Sequence, residues 1–200
     1  NIAQVTTIES ASNSGSNTYN IVDSAQNIAG STNAVLALAG TVTANTNATH
    51  TQADTISAFT KAVIYSVEGT TAELVGITDL ARNEAVNLVS TSSADVAQAK
   101  TITDATNSGS NTFNVSDTTA AIVACISADS TSLLGAGTIT VSDTANVVQA
   151  TSLSGLSKAV VYSLLDTAAN IAASNQATRD EAVNISTSDT AIVEEARTID

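Results

Sequence analysis

Residues 61–66 read KAVIYS and residues 158–163 read KAVVYS, so one chain carries nearly the same six residues twice. The offset is 97 positions. EAVNL at 84 returns as EAVNI at 181 with the same offset, and NSGSNTYN at 13 returns as NSGSNTFN at 107, offset by 94. A three-residue insertion in the stretch containing Leu133–Gly137 accounts for the change of phase. Self-similarity at fixed spacing marks a repeat architecture. The chain reads as a partial stretch over residues 1–17, one unit over 18–111 and a second over 112–200, forming one continuous array.

Each unit divides again. Asp23, Thr46, Gly69 and Ser92 recur every 23 residues, and their counterparts are Asp117, Asp143, Asp166 and Asp189. All eight are residue types that serve as helix N-caps, and capping by these residues is the expectation. Two places further on stands Ala or Thr in every case: Ala25, Ala48, Thr71, Ala94, Thr119, Ala145, Ala168 and Ala191. Before each of the eight lies a short stretch whose second and fourth residues are apolar, from Tyr19 and Ile21 to Val183 and Ile185. Period two predicts a strand with one buried face. The third residue points outward: Asn20, Thr43, Ile64, Asn87, Asn114, Thr140, Val161 and Asn184.

A strand, a short helix and a return predict an α/β solenoid of about eight coils of 20–28 residues. A parallel β-sheet would form one side and short helices the other. At about 4.8 Å per coil the rod would be roughly 40 Å long. The competing architecture is a doubly wound α/β domain, which needs longer helices and gives no reason for equal intervals.

Composition agrees with close-stacked layers. Hydrophobic residues make up 43% of the chain but aromatics only 2%, with no Trp, Met or Pro. The net charge of −13 with six Lys and Arg leaves no basic face for nucleic acid. No stretch approaches the roughly 20 apolar residues of a membrane span. One cysteine, Cys125, excludes an intrachain disulfide.

Around DTAANIAA (166–173), DSAQNIAG (23–30) and DTANVVQA (143–150), the chain resembles the tandem DTAANI-type repeat regions of very large bacterial secreted or cell-surface proteins. The resemblance implies a parallel solenoid serving as adhesin, surface-layer or appendage material, located at the cell surface or outside the cell. Such regions are often exported with calcium-binding glycine-rich repeats, whose nonapeptide this chain lacks.

No catalytic constellation emerges, so an enzyme is not expected. His50 is the single histidine; Val147 is its counterpart, and other coils place Asn27, Glu73 and Asn170 there. Glu194, Glu195 and Arg197, and Arg179, Asp180 and Glu181, read as surface ion-pair clusters. Asp117, Asp143, Asp166 and Asp189 are the only candidate metal ligands: stacking would align them as a calcium ladder, against the simpler reading of helix capping. Ile64 and Val161 make the outer face apolar at one strand per unit and are the candidate contact point. Two functions compete. One is a structural spacer, adhesin or assembly subunit that associates end to end or within a larger array. The other is a binding module that offers its outward face to a glycan, ice or a partner protein. Glu9 aligns with Thr103, and Thr103 with Asp200, so both ends fall in the same kind of coil, as in an excerpt of a longer array or a subunit that stacks.

Overall fold

The computed structural model describes residues 1–199; Asp200, the expected counterpart of Thr103, lies outside the described residues. Helix α1 (Ile2–Glu9) comes first. Strand β1 (Tyr19–Asp23) leads into α2 (Ala25–Ala29) and α3 (Asn33–Leu36), and β2 (Ala39–Ala44) into α4 (His50–Ser57) alone. Strand β3 (Val67–Gly69) leads into α5 (Thr71–Gly76) and α6 (Asp79–Glu84), and β4 (Leu88–Ala94) into α7 (Val96–Thr103) alone. The pattern continues with β5 (Asn111–Asp117), α8 (Thr119–Ala128) and α9 (Thr131–Leu134), then β6 (Ile139–Ala145) and α10 (Val147–Ser154). It ends with β7 (Val160–Asp166), α11 (Ala168–Ala173) and α12 (Gln176–Asp180), then β8 (Asn184–Thr187) and α13 (Val193–Ile199). Two-helix and one-helix modules alternate, a period that treating all coils alike does not contain.

The chain is α/β with parallel pairing of strands adjacent in sequence. In sequence order β1 pairs with β2 and β3 with β4, and β5-β6-β7-β8 pair in succession. The helices supply the crossovers that parallel neighbours require. The fold divides into two compact units, residues 1–92 with 104–112 and residues 93–103 with 113 onward. In the first unit Ile21 pairs with Val42 and Val67 with Leu88. In the second, Val115 pairs with Ile139, Ile139 with Val160, and Leu164 with Ile185.

Two of the one-helix modules carry a bulge, at β6 and just after β2. Thr140 and Thr144 pair with Val161 and Ser163, so β6 spends two extra residues over that step. Thr43 and Ala48 bridge to Ile64 and Val67 with the same two-residue excess. Bulges bend a strand and re-aim its side chains. After these bulges the helix N-caps, Thr49 and Asn146, stand three residues past Thr46 and Asp143, whereas Ser24 and Thr167 stand one residue past Asp23 and Asp166.

The interior is built from small and branched side chains. Ala25, Ala48, Thr71, Ala94, Thr119, Ala145 and Ala168 are all buried. On the strands Ile21, Val42, Leu88, Phe113, Val115, Ile139, Tyr162 and Leu164 are buried, as is Tyr65 just before β3. The expected inward set is wrong at its edges: Val183 is exposed, and Tyr19, Val63 and Val86 are half-buried. The buried register runs one pair further along, through Tyr65 and Val67 and through Tyr162 and Leu164. Tyr65 and Tyr162 cross the interior, and each hydroxyl donates to a helical carbonyl, Ala81 at 2.9 Å and Thr178 at 2.8 Å. Burial raises both phenols, Tyr162 to about 12.

Helices of four to ten residues do not stand alone in water. Caps and packing hold them. Within the first unit α4 packs on α2 and α6, and within the second α10 packs on α8 and α12. Among the described residues no helix is long and apolar enough to cross a membrane.

Candidate functional site

The eight corner residues are where the chain places its polar chemistry. They do not cap their own helices. In the two-helix modules the cap is the next residue: Ser24, Thr70, Thr118 and Thr167 each accept from a backbone N–H three residues on. In the one-helix modules it stands three residues past the corner. Thr49 and Asn146 form capping boxes with Gln52 and Gln149, and Asp95 exchanges the same two bonds with Gln98. Asn1 and Gln4 box α1 in the same way.

The corner oxygens reach back to the preceding module instead. Asp23 Oδ2 accepts from Ile2 N–H at 2.8 Å, Thr46 Oγ1 from Ala25 at 3.0 Å and Ser92 Oγ from Thr71 at 3.0 Å. In the second unit Asp117 Oδ2 accepts from Val96 at 3.0 Å and Asp143 Oδ1 from Thr119 at 2.7 Å. Asp166 Oδ2 accepts from Val147 at 3.0 Å and Asp189 Oδ1 from Ala168 at 2.7 Å. Each donor is the first residue of a helix, whose N–H has no intrahelical partner. The expectation of eight self-caps is thus corrected. A side-chain oxygen at the corner serves equally well as acceptor for a helix one module away, and the local cap is supplied by a different residue.

These bonds tune the carboxylates. The Val147 N–H, then the Asn170 side chain and the Thr167 N–H, lower the pKa of Asp166. The Thr119 hydroxyl and N–H lower that of Asp143. Burial pushes Asp23 upward, but the Asn27 side chain and the N–H groups of Ile2 and Ser24 outweigh it, and the net shift is downward. In the proposed calcium series, Asp117, Asp143, Asp166 and Asp189 each have an oxygen committed to an N–H donor. Among the described residues no group of three or more His, Cys, Asp or Glu is placed to hold a metal ion.

Gly69 is the corner without a side chain. The helix it would serve, α4, begins at His50. There His50 Nδ1 lies 3.4 Å from Glu73 Oε1, and Glu73 folds back to the N–H and hydroxyl of Thr70. A Cβ on Gly69 would come within 2.9 Å of Glu73 Oε2. The single histidine is thus set at the one gap in the ladder. Its aligned positions Asn27, Glu73 and Asn170 lie on two-helix modules and are not its structural counterparts; Val147 is.

The other candidates are held by local contacts. Cys125, on α8, has Sγ 3.2 Å from the Asp129 carbonyl and 3.5 Å from Ser132 Oγ. Arg179 donates to the carbonyls of Ile171 and Ser174, which closes the C-terminal end of α11. Arg82 does the same for α5 through Leu74, Val75 and Ile77, with Asp79 at 2.6 Å. Reading Arg179 as part of a surface ion-pair cluster missed this role. The 97-residue spacing between Arg82 and Arg179 is the signal that it belongs to the repeat. Ile64 and Val161 point outward and are 51% and 45% exposed. A cavity of about 270 Å³ beside Ile64 is lined also by Gly40, Thr41, Val42, Lys61 and Ala62.

No protein-family model, curated protein or solved structure matches the chain.

Proposed function

We propose that the chain is a non-catalytic structural repeat protein, a solenoid of about eight coils that acts as spacer, adhesin or assembly subunit at a bacterial cell surface or in an extracellular filament. The observation that carries this reading is the corner ladder. In seven places a module's first helical N–H is satisfied by a side chain of the next module. A module built this way is completed by its successor, which is the logic of an extended array and not of an isolated site. The alternation of two module types gives such an array an axial period of two coils, about 10 Å.

Electron microscopy of the native assembly tests it. The expected result is a continuous filament or lattice with axial periodicity near two or four coils, about 10 or 19 Å. Discrete particles with a ligand seated in a groove would overturn it. They would favour the second reading, a binding module, which rests on exposed Ile64 and the cavity beside it.

A further inference from the structure

A second set of contacts between modules runs along the outward strand face. Asn20 Oδ1 accepts from Thr41 N–H, Asn87 Oδ1 from Ser110 N–H and Asn114 Oδ1 from Thr138 N–H, each at 2.9 Å. In all three the donor follows a glycine: Gly40, Gly109 and Gly137. A Cβ on Gly40 or Gly137 would sit 2.7 Å from the asparagine oxygen, and on Gly109 it would sit 2.5 Å from the Val86 carbonyl. These glycines are there for close approach, since no glycine has positive φ. Around Gly109 the fit is dense. Val86 O accepts from Gly109 N–H at 2.8 Å and from Asn107 Nδ2 at 2.9 Å.

The sequence holds both halves of this contact once more. Val183-Asn184 repeats Val86-Asn87, and residues 13–17, NSGSN, repeat residues 107–111. Asn184 makes the backward half of its role, donating from Nδ2 to Ser163 Oγ at 3.4 Å, as Asn87 does to Ser66. Val183 is 62% exposed. A Cβ on Gly15 would meet nothing within 4 Å. The apolar face beside β8 is equally uncovered. Ile185, Ala191, Val193, Ala196 and Ile199 line a depression of about 660 Å³, and Ala191 is half-buried where its seven counterparts are buried.

We infer that the edge of β8 at Val183–Asn184 is a docking surface for a second copy of this chain, which lays residues 13–17 along it. Ser16 N–H donates to Asn184 Oδ1, and Gly15 N–H and Asn13 Nδ2 donate to Val183 O, continuing the interface that Val86–Asn87 makes with residues 107–110. In the incoming copy Asp23 accepts from Ile2 of α1. Val193 opens α13 as Ile2 opens α1, so docking exchanges the incoming copy's own α1 for the first copy's α13. The inference rests on the structural reading above and names the partner.

Sedimentation of the full chain over rising concentration tests it, in salt high enough to screen the −13 charge. A head-to-tail contact does not close, so oligomers should grow without a fixed size. Gly15→Val should weaken association by at least about tenfold with an unchanged melting temperature, because its side chain enters open space in the free chain. Amides of Asn184–Thr187 should gain hydrogen-exchange protection on association in the parent only. A chain monomeric throughout, a complex that stops at two, or Gly15→Val associating like the parent would each overturn the inference. Protection of this edge only when two copies are fused in one polypeptide would assign it to a following stretch of the same chain and equally overturn the second copy. A monomeric chain leaves the structural reading intact, since that is decided by the native assembly.

Discussion

KAVIYS and KAVVYS differ by one methylene, yet they fold differently. Residues 160–166 form the seven-residue strand β7, whereas Ile64 makes a single bridge and β3 is only Val67–Gly69. The difference lies downstream of the shared hexapeptide. Asp166 ends β7 and holds three donors, the N–H groups of Val147 and Thr167 and the Asn170 amide. Gly69 ends β3 and holds none with a side chain; Glu73 and His50 fill its place. The local sequence proposes a strand, and the corner decides how firmly it is held.

Removing the stronger corner should have the largest effect. Asp166→Ala strands two backbone N–H groups and should cost about 2 kcal/mol in urea unfolding. Converting the weaker corner into the stronger is the reciprocal test. Gly69→Asp alone sets a second carboxylate beside Glu73, so the informative variant pairs it with Glu73→Asn, copying Asp166 and Asn170. That pair should raise stability by about 1 kcal/mol, and no gain would show that the corner bonds are not what separates the two regions. Tyr162→Phe and Tyr65→Phe each remove a buried hydrogen bond to a helical carbonyl and should each cost about 1 kcal/mol. Equal losses at the two sites would confirm that the regions differ at the corner and not in the core.

Acid should act through the same corners. An unfolded aspartate takes up its proton near pH 3.9. Folded Asp166, Asp143 and Asp23 do so at lower pH, because their hydrogen bonds favour the anion. The unfolded state therefore binds more protons in that window. Their contribution is complete above about pH 5 and declines as pH falls through 3.9 toward the folded values. A melting temperature that does not fall over this range would contradict the ladder, and Asp166→Ala should flatten the fall. The smallest expected effect is at the outward residues: Ile64→Thr and Val161→Thr should change stability by less than about 0.5 kcal/mol.

Much of this was legible in the chain itself. The strand alternation, the small residue two places past each corner (buried at seven of the eight) and the outward Ile64 and Val161 follow from period and spacing. The partner of each corner oxygen does not. Asp, Ser and Thr suit a cap on the local helix and a bond to a neighbouring one equally well, and spacing alone does not separate them. A subtler signal was present: Gln4, Gln52, Gln98 and Gln149 stand three residues after Asn1, Thr49, Asp95 and Asn146. A capping box closed by glutamine separates the one-helix modules from the two-helix module at Thr70, whose box closes with Glu73. The outward asparagines follow from the strand period, but their partners beside Gly40, Gly109 and Gly137 do not, because the close approach that excludes a side chain is a property of two distant segments.

The spacing of the ladder also bears on kinetics. Its bonds join residues 19 to 24 positions apart. Each new module closes a loop of that size onto the one before, so the entropy of closure does not grow with the length of the array. Folding can start at any well-capped module and spread in both directions. The chain has no proline to impose a slow isomerisation on the way. Lengthening such a protein by duplication therefore adds mass without lengthening the search for each contact.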